Sequence, residues 1–409
     1  MASSLSIYKY HYMIKNIVMT LDANYNFSDG SVSYFTIDSD YMNRICPVIY
    51  IKLEMPVYMV QKFYKYQDSA MIKFDIYEHQ YAGESIVGTS LWFQHSFRAI
   101  PAKDMTNYIT STDTITEQEM DPMRGLQEVE MYLVDMEMIK RFTQKTTGIY
   151  NNISKAAALH ALFQLRNFPS KNIIATPPAQ DSIISNCIIS MGTLTENINE
   201  LNTRYGLYTS NPIVYYDLDK LYVIDRFDPN VTLQRAKDFS NITFIYKNLN
   251  LPDRDMCGSC NDASSKTHFI NFEQTPTIED YRPESSSQQF GTITTVNKEG
   301  NVNKETIDNN ATALRYVYEE NDQTSSQYIN ESLYNRTVSV NVPDVALSFI
   351  KPYKTVTFQC GTMFKDLGLD SGDTYRILSW KAEIIRQGSG LETSYLHSVS
   401  FNLQQIDYQ

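Results

Sequence analysis

The chain has 409 residues, 35 basic against 47 acidic, and a formal net charge of −12. That balance argues against nucleic acid held in a basic groove, and the length allows several cores. No apolar run reaches the roughly 18 residues of a membrane-spanning helix, and Tyr8, Lys9, His11 and Lys15 interrupt any secretory core at the N-terminus. Five cysteines, an odd number, give no disulfide framework. The expectation is a chain made in a reducing cytoplasm, with no membrane binding of its own. Thirty tyrosines and 19 phenylalanines against two tryptophans suit an aromatic-rich β protein.

In chain order, Ile14 to Leu21 and Ile45 to Met55 read as strands. Pro56 opens a short helix running to Tyr66. Met71, Lys73, Asp75 and Tyr77 then alternate with Ile72, Phe74, Ile76 and Glu78 in another strand. Ser90 to Pro122 reads as loop-rich, and Leu126 to Val134 as a strand. Strands with one short helix predict a small β-barrel over 1–135.

From 136 to 230 the texture changes to a small α/β module. Ser154 caps a helix over Lys155 to Arg166 whose buried face is Leu159, Leu162 and Phe163, stopped by Phe168-Pro169. A Pro177-Pro178 turn and an apolar run from Ile183 to Ile189 follow. Thr193 and Glu196 form a capping box, and Leu194, Ile198, Leu201 and Tyr205 make one apolar helix face. Glu200 and Arg204 pair at i, i+4, and Gly206 supplies the left-handed terminator. After a Thr209-Ser210-Asn211 turn, Ile213 to Tyr216 and Leu221 to Arg226 form a hairpin across Asp217-Leu218-Asp219-Lys220, a link suited to a type I turn.

The segment 231–409 predicts a second β-barrel, built from Thr337 to Val342, Ser348 to Lys354, Val356 to Cys360, Tyr375 to Arg386 and Tyr395 to Ile406. It carries a polar insertion at about 255–335, too long for a bare loop, with a strand-like island at Leu314 to Tyr318. The fold class is therefore mainly β with a small α/β module.

The helix, the Tyr205-Gly206-Leu207-Tyr208 step and the aromatic hairpin that crosses Asp217 and Asp219 resemble the central segment of the phage-tail baseplate hub family. The hub half of type VI secretion spike proteins shares this segment. Lys351-Pro352-Tyr353-Lys354 and Tyr375-Arg376-Ile377 are similar to later steps of that family. The resemblance covers most of the chain and is weakest over 255–335. It implies two tail-tube-like β-barrels joined by an α/β insert, and a trimer that adapts a six-fold tail tube to a central spike. The implied partners are a tail tube protein, a central spike protein, a tape measure and other baseplate proteins, at the virion tail tip. DNA would pass only transiently through the lumen. No repetitive spike precedes Gln409, so the spike is expected on a separate polypeptide.

Candidate chemistry is thin. Cys257 and Cys260, with Asp255 and His268, can be drawn as a metal site, but Cys46, Cys187 and Cys360 are isolated and a structural zinc wants a second close pair. Asp217 and Asp219 mimic paired cation-holding carboxylates, yet no third acid is spaced to join them, and a solvated turn explains them. His79, His95 and His160 lack a partner pattern, and no Gly-x-Ser-x-Gly, His-Glu-x-x-His or phosphate loop occurs. No catalytic, cofactor or metal residue is assigned, and the expectation is a non-enzyme. A tail-associated hydrolase, which would need facing carboxylates, is one rival reading. A distal tail or receptor-binding protein with a tyrosine-lined face is the other. The acidic run of Asp104, Asp113, Glu117, Glu119, Asp121, Glu128, Glu130, Asp135 and Glu137 reads as a soluble surface, or as a lumen wall that repels DNA.

Overall fold

The computed structural model describes residues 8–82, 85–103, 125–178, 181–208, 212–218, 220–226, 242–247, 267–271, 277–281, 290–296, 302–306, 313–318, 335–343, 345–359, 373–387 and 394–406. In the first region lie β1 (Tyr8–Thr20), β2 (Asn24–Phe27), β3 (Val32–Asp40), β4 (Val48–Pro56), α1 (Val57–Lys65), β5 (Met71–Ala82), β6 (Ser85–Pro101) and β7 (Leu126–Val134). The middle region holds α2 (Met136–Thr143), β8 (Thr146–Ser154), α3 (Lys155–Leu165), β9 (Ile173–Ala175), β10 (Ile183–Gly192), α4 (Leu194–Tyr205), β11 (Ile213–Asp217) and β12 (Lys220–Ile224). The last region holds β13 (Ile242–Lys247), β14 (Thr267–Asn271), β15 (Thr277–Tyr281), β16 (Phe290–Val296), β17 (Val302–Thr306), β18 (Ala313–Tyr318), β19 (Asn335–Pro343), β20 (Thr355–Gln359), β21 (Thr374–Gln387) and β22 (Ser394–Gln405). The protein is mainly β, with α2, α3 and α4 gathered in the middle region and α1 in the first.

Several elements depart from the sequence reading. β3 is a strand that alternation did not flag, because Ser39, Thr36 and Ser31 are buried beside Phe35 and Ile37 and blur the apolar pattern. The loop expected from Ser90 is strand as far as Pro101: Phe93, Phe97 and Ala99 point inward while Ser and Gln residues fill the other face. The rest of that stretch, 104–122, lies outside the described residues. Ser348 to Lys354 is a 3₁₀ turn over Leu347–Phe349 followed by a turn in which Lys354 N–H donates to Lys351 O; Pro352 lacks the donor a ladder needs. Helix α2, capped by the Asp135 side chain on the Met138 N–H, and the strands β8 and β9 were not expected.

Strands from both ends of the chain ladder into one sheet of 14, in the order β14-β13-β20-β21-β3-β4-β7-β6-β5-β1-β22-β19-β15, with β2 on β1. The two barrels are therefore not seen as two closed sheets. β21 pairs with β3 on one flank and with β22 on the other, so the first and last regions share a wall. At the far side, among the described residues, β22 meets β1 through one residue pair, Tyr12 with Tyr395, and the sheet parts there in a seam. The chain leaving β19 runs into this seam, because Pro343 ends the β19–β22 ladder opposite Ser398.

The middle region has its own small sheets. β8 and β10 form a two-stranded ribbon, and β11-β12-β9 a three-stranded sheet in which β9 runs parallel to β12. In the polar insertion β17-β16-β18 form a further sheet, and Leu314 to Tyr318 is strand as expected.

Candidate functional site

The helix α4 begins as its sequence dictates. Thr193 N–H donates to Glu196 Oε2 at 2.7 Å, and Glu196 N–H donates to Thr193 Oγ1 at 3.4 Å. The Thr193 N–H holds the Glu196 carboxyl below its usual range. Gly206 closes the helix at φ 64°. Leu194, Ile198, Leu201 and Tyr205 are all buried. Glu200 pairs with Arg204 at 2.8 Å and also accepts from the Ser190 N–H and hydroxyl, so the pair fastens α4 to β10.

A clamp that the sequence did not announce sits behind this helix. Arg166, at the end of α3, is buried, and burial pushes its guanidinium down to about 10. It donates to Gln144 O at 3.2 Å, Leu162 O at 3.2 Å, Gly192 O at 3.0 Å and Asn197 Oδ1 at 2.6 Å. Lys155 Nζ donates to Gly206 O at 3.0 Å, where a cation meets the helix C-terminus. Buried cations with this many acceptors are legible only once the fold brings the carbonyls together.

The hairpin β11–β12 is the joint of the molecule. Val214, Tyr216, Leu221 and Val223 face a core shared with α3 and α4, whereas Ile213, Tyr215, Tyr222 and Ile224 face the core of the large sheet. Both faces are buried, which explains its nearly unbroken apolar run. Trp380 Nε1 donates to the Tyr41 hydroxyl at 2.7 Å, and the Tyr41 ring meets Tyr215 edge-on at 4.7 Å. Burial, with Asp217 nearby, pushes the Tyr41 hydroxyl well above its ordinary value. Tyr216 N–H donates to Ile45 O at 2.8 Å, and Arg376 donates to Arg226 O at 3.2 Å and Tyr353 O at 2.6 Å. The link between the strands is a correction: Leu218 lies at φ 56°, outside type I geometry, because a two-residue hairpin loop needs positive φ to match strand twist. Asp217 is not in a solvated turn either. It is buried and takes Lys351 Nζ at 2.8 Å; Asp219 lies outside the described residues.

The seam between β1 and β22 holds a second buried constellation. Tyr12 hydroxyl donates to Glu78 Oε2 at 2.7 Å and accepts the Leu347 N–H at 2.7 Å. Ser348 donates to the same carboxylate from its hydroxyl at 2.7 Å and from its N–H at 3.2 Å. His397 Nε2 donates to Val345 O at 2.8 Å, and its ring stands edge-on to Tyr12 at 4.9 Å. Burial pushes the His397 imidazole down to about 4, so the ring is neutral at pH 7. Both carboxylate oxygens of Glu78 are met by donors. This is a rivet for the seam.

Among the described residues the other candidates are brought to no shared centre. His95 Nε2 meets Asp135 Oδ2 at 2.7 Å, a pairing missed because the partners stand 40 residues apart. Burial raises the Asp135 carboxyl, but the His95 bond and the Met138 N–H outweigh it and hold the group below its ordinary value. Cys46 stands near Asp135, yet burial, then the Asp135 charge, push its thiol up to about 11, the wrong direction for a nucleophile. His79 meets Thr89 Oγ1 at 2.8 Å, and His160 stacks edge-on with Phe163. A cleft of about 460 Å³ lies along Leu91–His95 and reaches Leu218, Lys220, Ser348 and Lys351, and among the described residues no facing carboxylate pair lines it. Among the described residues no group of three or more His, Cys, Asp or Glu side chains is placed to hold a metal ion. Asp255, Cys257, Cys260 and Cys360 lie outside the described residues, as does the side chain of His268. Of the acidic run, Glu128 and Glu130 pair with Lys52, and Glu130 also with Lys103; 104–124 lie outside the described residues.

The chain belongs to the bacteriophage PBS1 gene 109 protein family, whose sequence profile matches residues 2–354. Among solved structures it is similar to the tail protein from Neisseria meningitidis MC58, with 11% identity over 97% of this chain and 96% of that one, at a TM-score of 0.46. It is similar to a chain of the Francisella PdpA–VgrG complex, with 12% identity over 98% of this chain and 53% of that one, at a TM-score of 0.47. The E. coli c3393 protein, a component of the type VI secretion system, matches with 8% identity over 93% of this chain and 74% of that one, at 0.40. No match was found among curated proteins.

Proposed function

We propose that the chain is the structural baseplate hub of a phage tail, a trimeric adaptor between the tail tube and the central spike. The observation that carries this reading is the hairpin β11–β12, buried on both faces, which carries the hub-like sequence pattern and joins the α/β module to a sheet built from both chain ends. Such a joint suits a part that transmits force between neighbours, and membership of a phage protein family agrees with it.

The proposed division is 1–135, 136–230 and 231–409, with the first and last regions as the tube-like halves. Three copies then present six similar halves to a six-fold tube, while the three-fold axis accepts a trimeric spike. Tape measure and other baseplate proteins are the remaining partners, and DNA passes through the lumen without being held. In this reading the chain is structural: Glu78 is bonded by Tyr12 and Ser348, burial holds Cys46 as a thiol, and His95 pairs with Asp135.

Capture assays test the assignment. Immobilised chain is expected to retain the tail-tube and spike proteins of the same phage from separately purified stocks, and to leave peptidoglycan intact. Adsorption to host cells without capture of tube or spike would favour the receptor-binding reading. Peptidoglycan clearing that is lost on mutating one carboxylate would favour the hydrolase.

A further inference from the structure

The cleft along Leu91–His95 stands where the three regions of the chain meet. β6 supplies one wall, the link between β11 and β12 supplies Leu218 and Lys220, and the 3₁₀ turn with the residues after it supplies Ser348 and Lys351. Ligand sites favour such junctions, and about 460 Å³ falls within the range of roughly 300–1,000 Å³ that ligand pockets span.

Two backbone irregularities shape its lining. Ile76 pairs with Phe93 and Tyr77 with Leu91, so Trp92 is the extra residue of a β-bulge. Bulges re-aim a side chain and gather next to functional sites; here Trp92 lines the cleft, its ring 5.6 Å from that of Tyr12. Leu218 is the second irregularity, at φ 56°. The hairpin loop needs that angle, but the other described non-glycine residues at positive φ are Asn16, Asn152 and Asn167, a residue type that tolerates it, whereas leucine is strained there. The Leu218 side chain is held in the large core, which fixes the lip of the cleft.

The acids nearest the lining are kept out of the opening. Lys351 Nζ donates to Asp217, the Ser348 hydroxyl to Glu78, and Gln94 Nε2 to Asp75 Oδ1 at 2.8 Å, while His95 meets Asp135. None of these four acids lines the cleft, and Asp75, Glu78 and Asp217 are buried. Among the described residues the lining therefore carries two ammonium groups and no carboxylate, in a chain with a net charge of −12. Asp217 balances Lys351, which leaves Lys220 to set the sign of the cleft. On the β6 wall, Leu91 is 49% exposed and gives an apolar surface together with Trp92.

We propose that this cleft binds an acidic peptide segment, with a carboxylate on Lys220 and an apolar side chain against Leu91 and Trp92. Charge complementarity selects the anion. The apolar wall selects a polypeptide over a bare phosphate or a nucleic-acid backbone, which would leave Leu91 and Trp92 uncovered. A segment seated there touches all three regions at once and raises the melting temperature of the chain by mass action. The inference goes beyond the hub reading and does not rest on it.

The test uses the full chain and short blocked peptides of alternating Glu and Leu, with Gln–Leu peptides, Lys–Leu peptides and inorganic phosphate as comparisons, read by calorimetric titration. The Glu–Leu peptide is expected to bind, with an affinity that falls as salt is added, and to raise the melting temperature. The Gln–Leu peptide is expected to bind about tenfold more weakly, and the Lys–Leu peptide more weakly still. Lys220→Gln is expected to weaken the Glu–Leu peptide about tenfold, and Leu91→Ser about fivefold. Neither side chain is buried, so circular dichroism of both variants is expected to match that of the wild type. No binding of the Glu–Leu peptide, equal binding of the Glu–Leu and Gln–Leu peptides, or a Lys220→Gln variant that binds as the wild type does would overturn the proposal. Phosphate that displaces the Glu–Leu peptide at equal concentration, or a Leu91→Ser variant with unchanged affinity, would reduce the cleft to a simple anion site and overturn the peptide.

Discussion

The α/β module and the seam between β1 and β22 are stabilised by different kinds of information. In the module, the partners of α4 lie close in sequence: Thr193 with Glu196, Glu200 with Arg204, Tyr205 with the Ile188 N–H. At the seam, Tyr12 meets Glu78 and Leu347, and His397 meets Val345, so parts from both ends of the chain must arrive together. The module can therefore organise locally, whereas the seam closes only when the large sheet has assembled. Contacts of long sequence separation form late and cost more chain entropy.

Substitutions in the two regions sharpen this contrast. Leu201→Ala, in the packed helix face, is expected to cost about 2–5 kcal/mol by opening a cavity; urea denaturation measures it, and a neutral result would mean that α4 is not packed as described. The seam should instead reveal itself by pH. His397 is neutral in the folded chain down to about 4, whereas an unfolded imidazole takes up its proton near 6.5. Between those values the unfolded state binds more protons, so stability is full above the unfolded value and falls as pH drops through the window, by up to about 3 kcal/mol. Melting curves across that range check it, and His397→Phe should flatten this component of the slope.

Tyr12→Phe removes one hydroxyl from the Glu78 cluster and leaves the Leu347 N–H without its acceptor, at an expected cost of about 1–3 kcal/mol. Hydrogen exchange at Leu347 and Ser348 should rise in this variant while that of α4 stays unchanged; equal loosening of both regions would break the comparison. Thr193→Ala, which removes a cap, is expected to cost about 1 kcal/mol, with its effect confined to the first turn of α4.

The same contrast explains what was legible beforehand. The capping box, the apolar helix face, Gly206 and the hairpin strands are written in neighbouring residues, and each stands where the pattern placed it, except that the second strand ends at Ile224 and not at Arg226. β3 and β6 are obscured because Ser, Thr, Gln and His residues dilute their alternation, and the loop expected from Ser90 to Pro122 is strand as far as Pro101. Asp217 looked like a turn residue because its partner, Lys351, stands 134 positions away. The Arg166 clamp and the seam share this cause: their acceptors are backbone carbonyls or distant side chains with no sequence signature. The sharing of one sheet by both ends of the chain could not be read from alternation, which gives the face of a strand and not its neighbour.

The adaptor proposed above would hold three copies of this chain at a tail tip. Native mass measurement of the complex formed with its own tail-tube and spike proteins tests it most directly. Three copies of the chain per complex are expected, with the spike on one side and the tube on the other. One or six copies would contradict the adaptor and return the receptor-binding reading to first place.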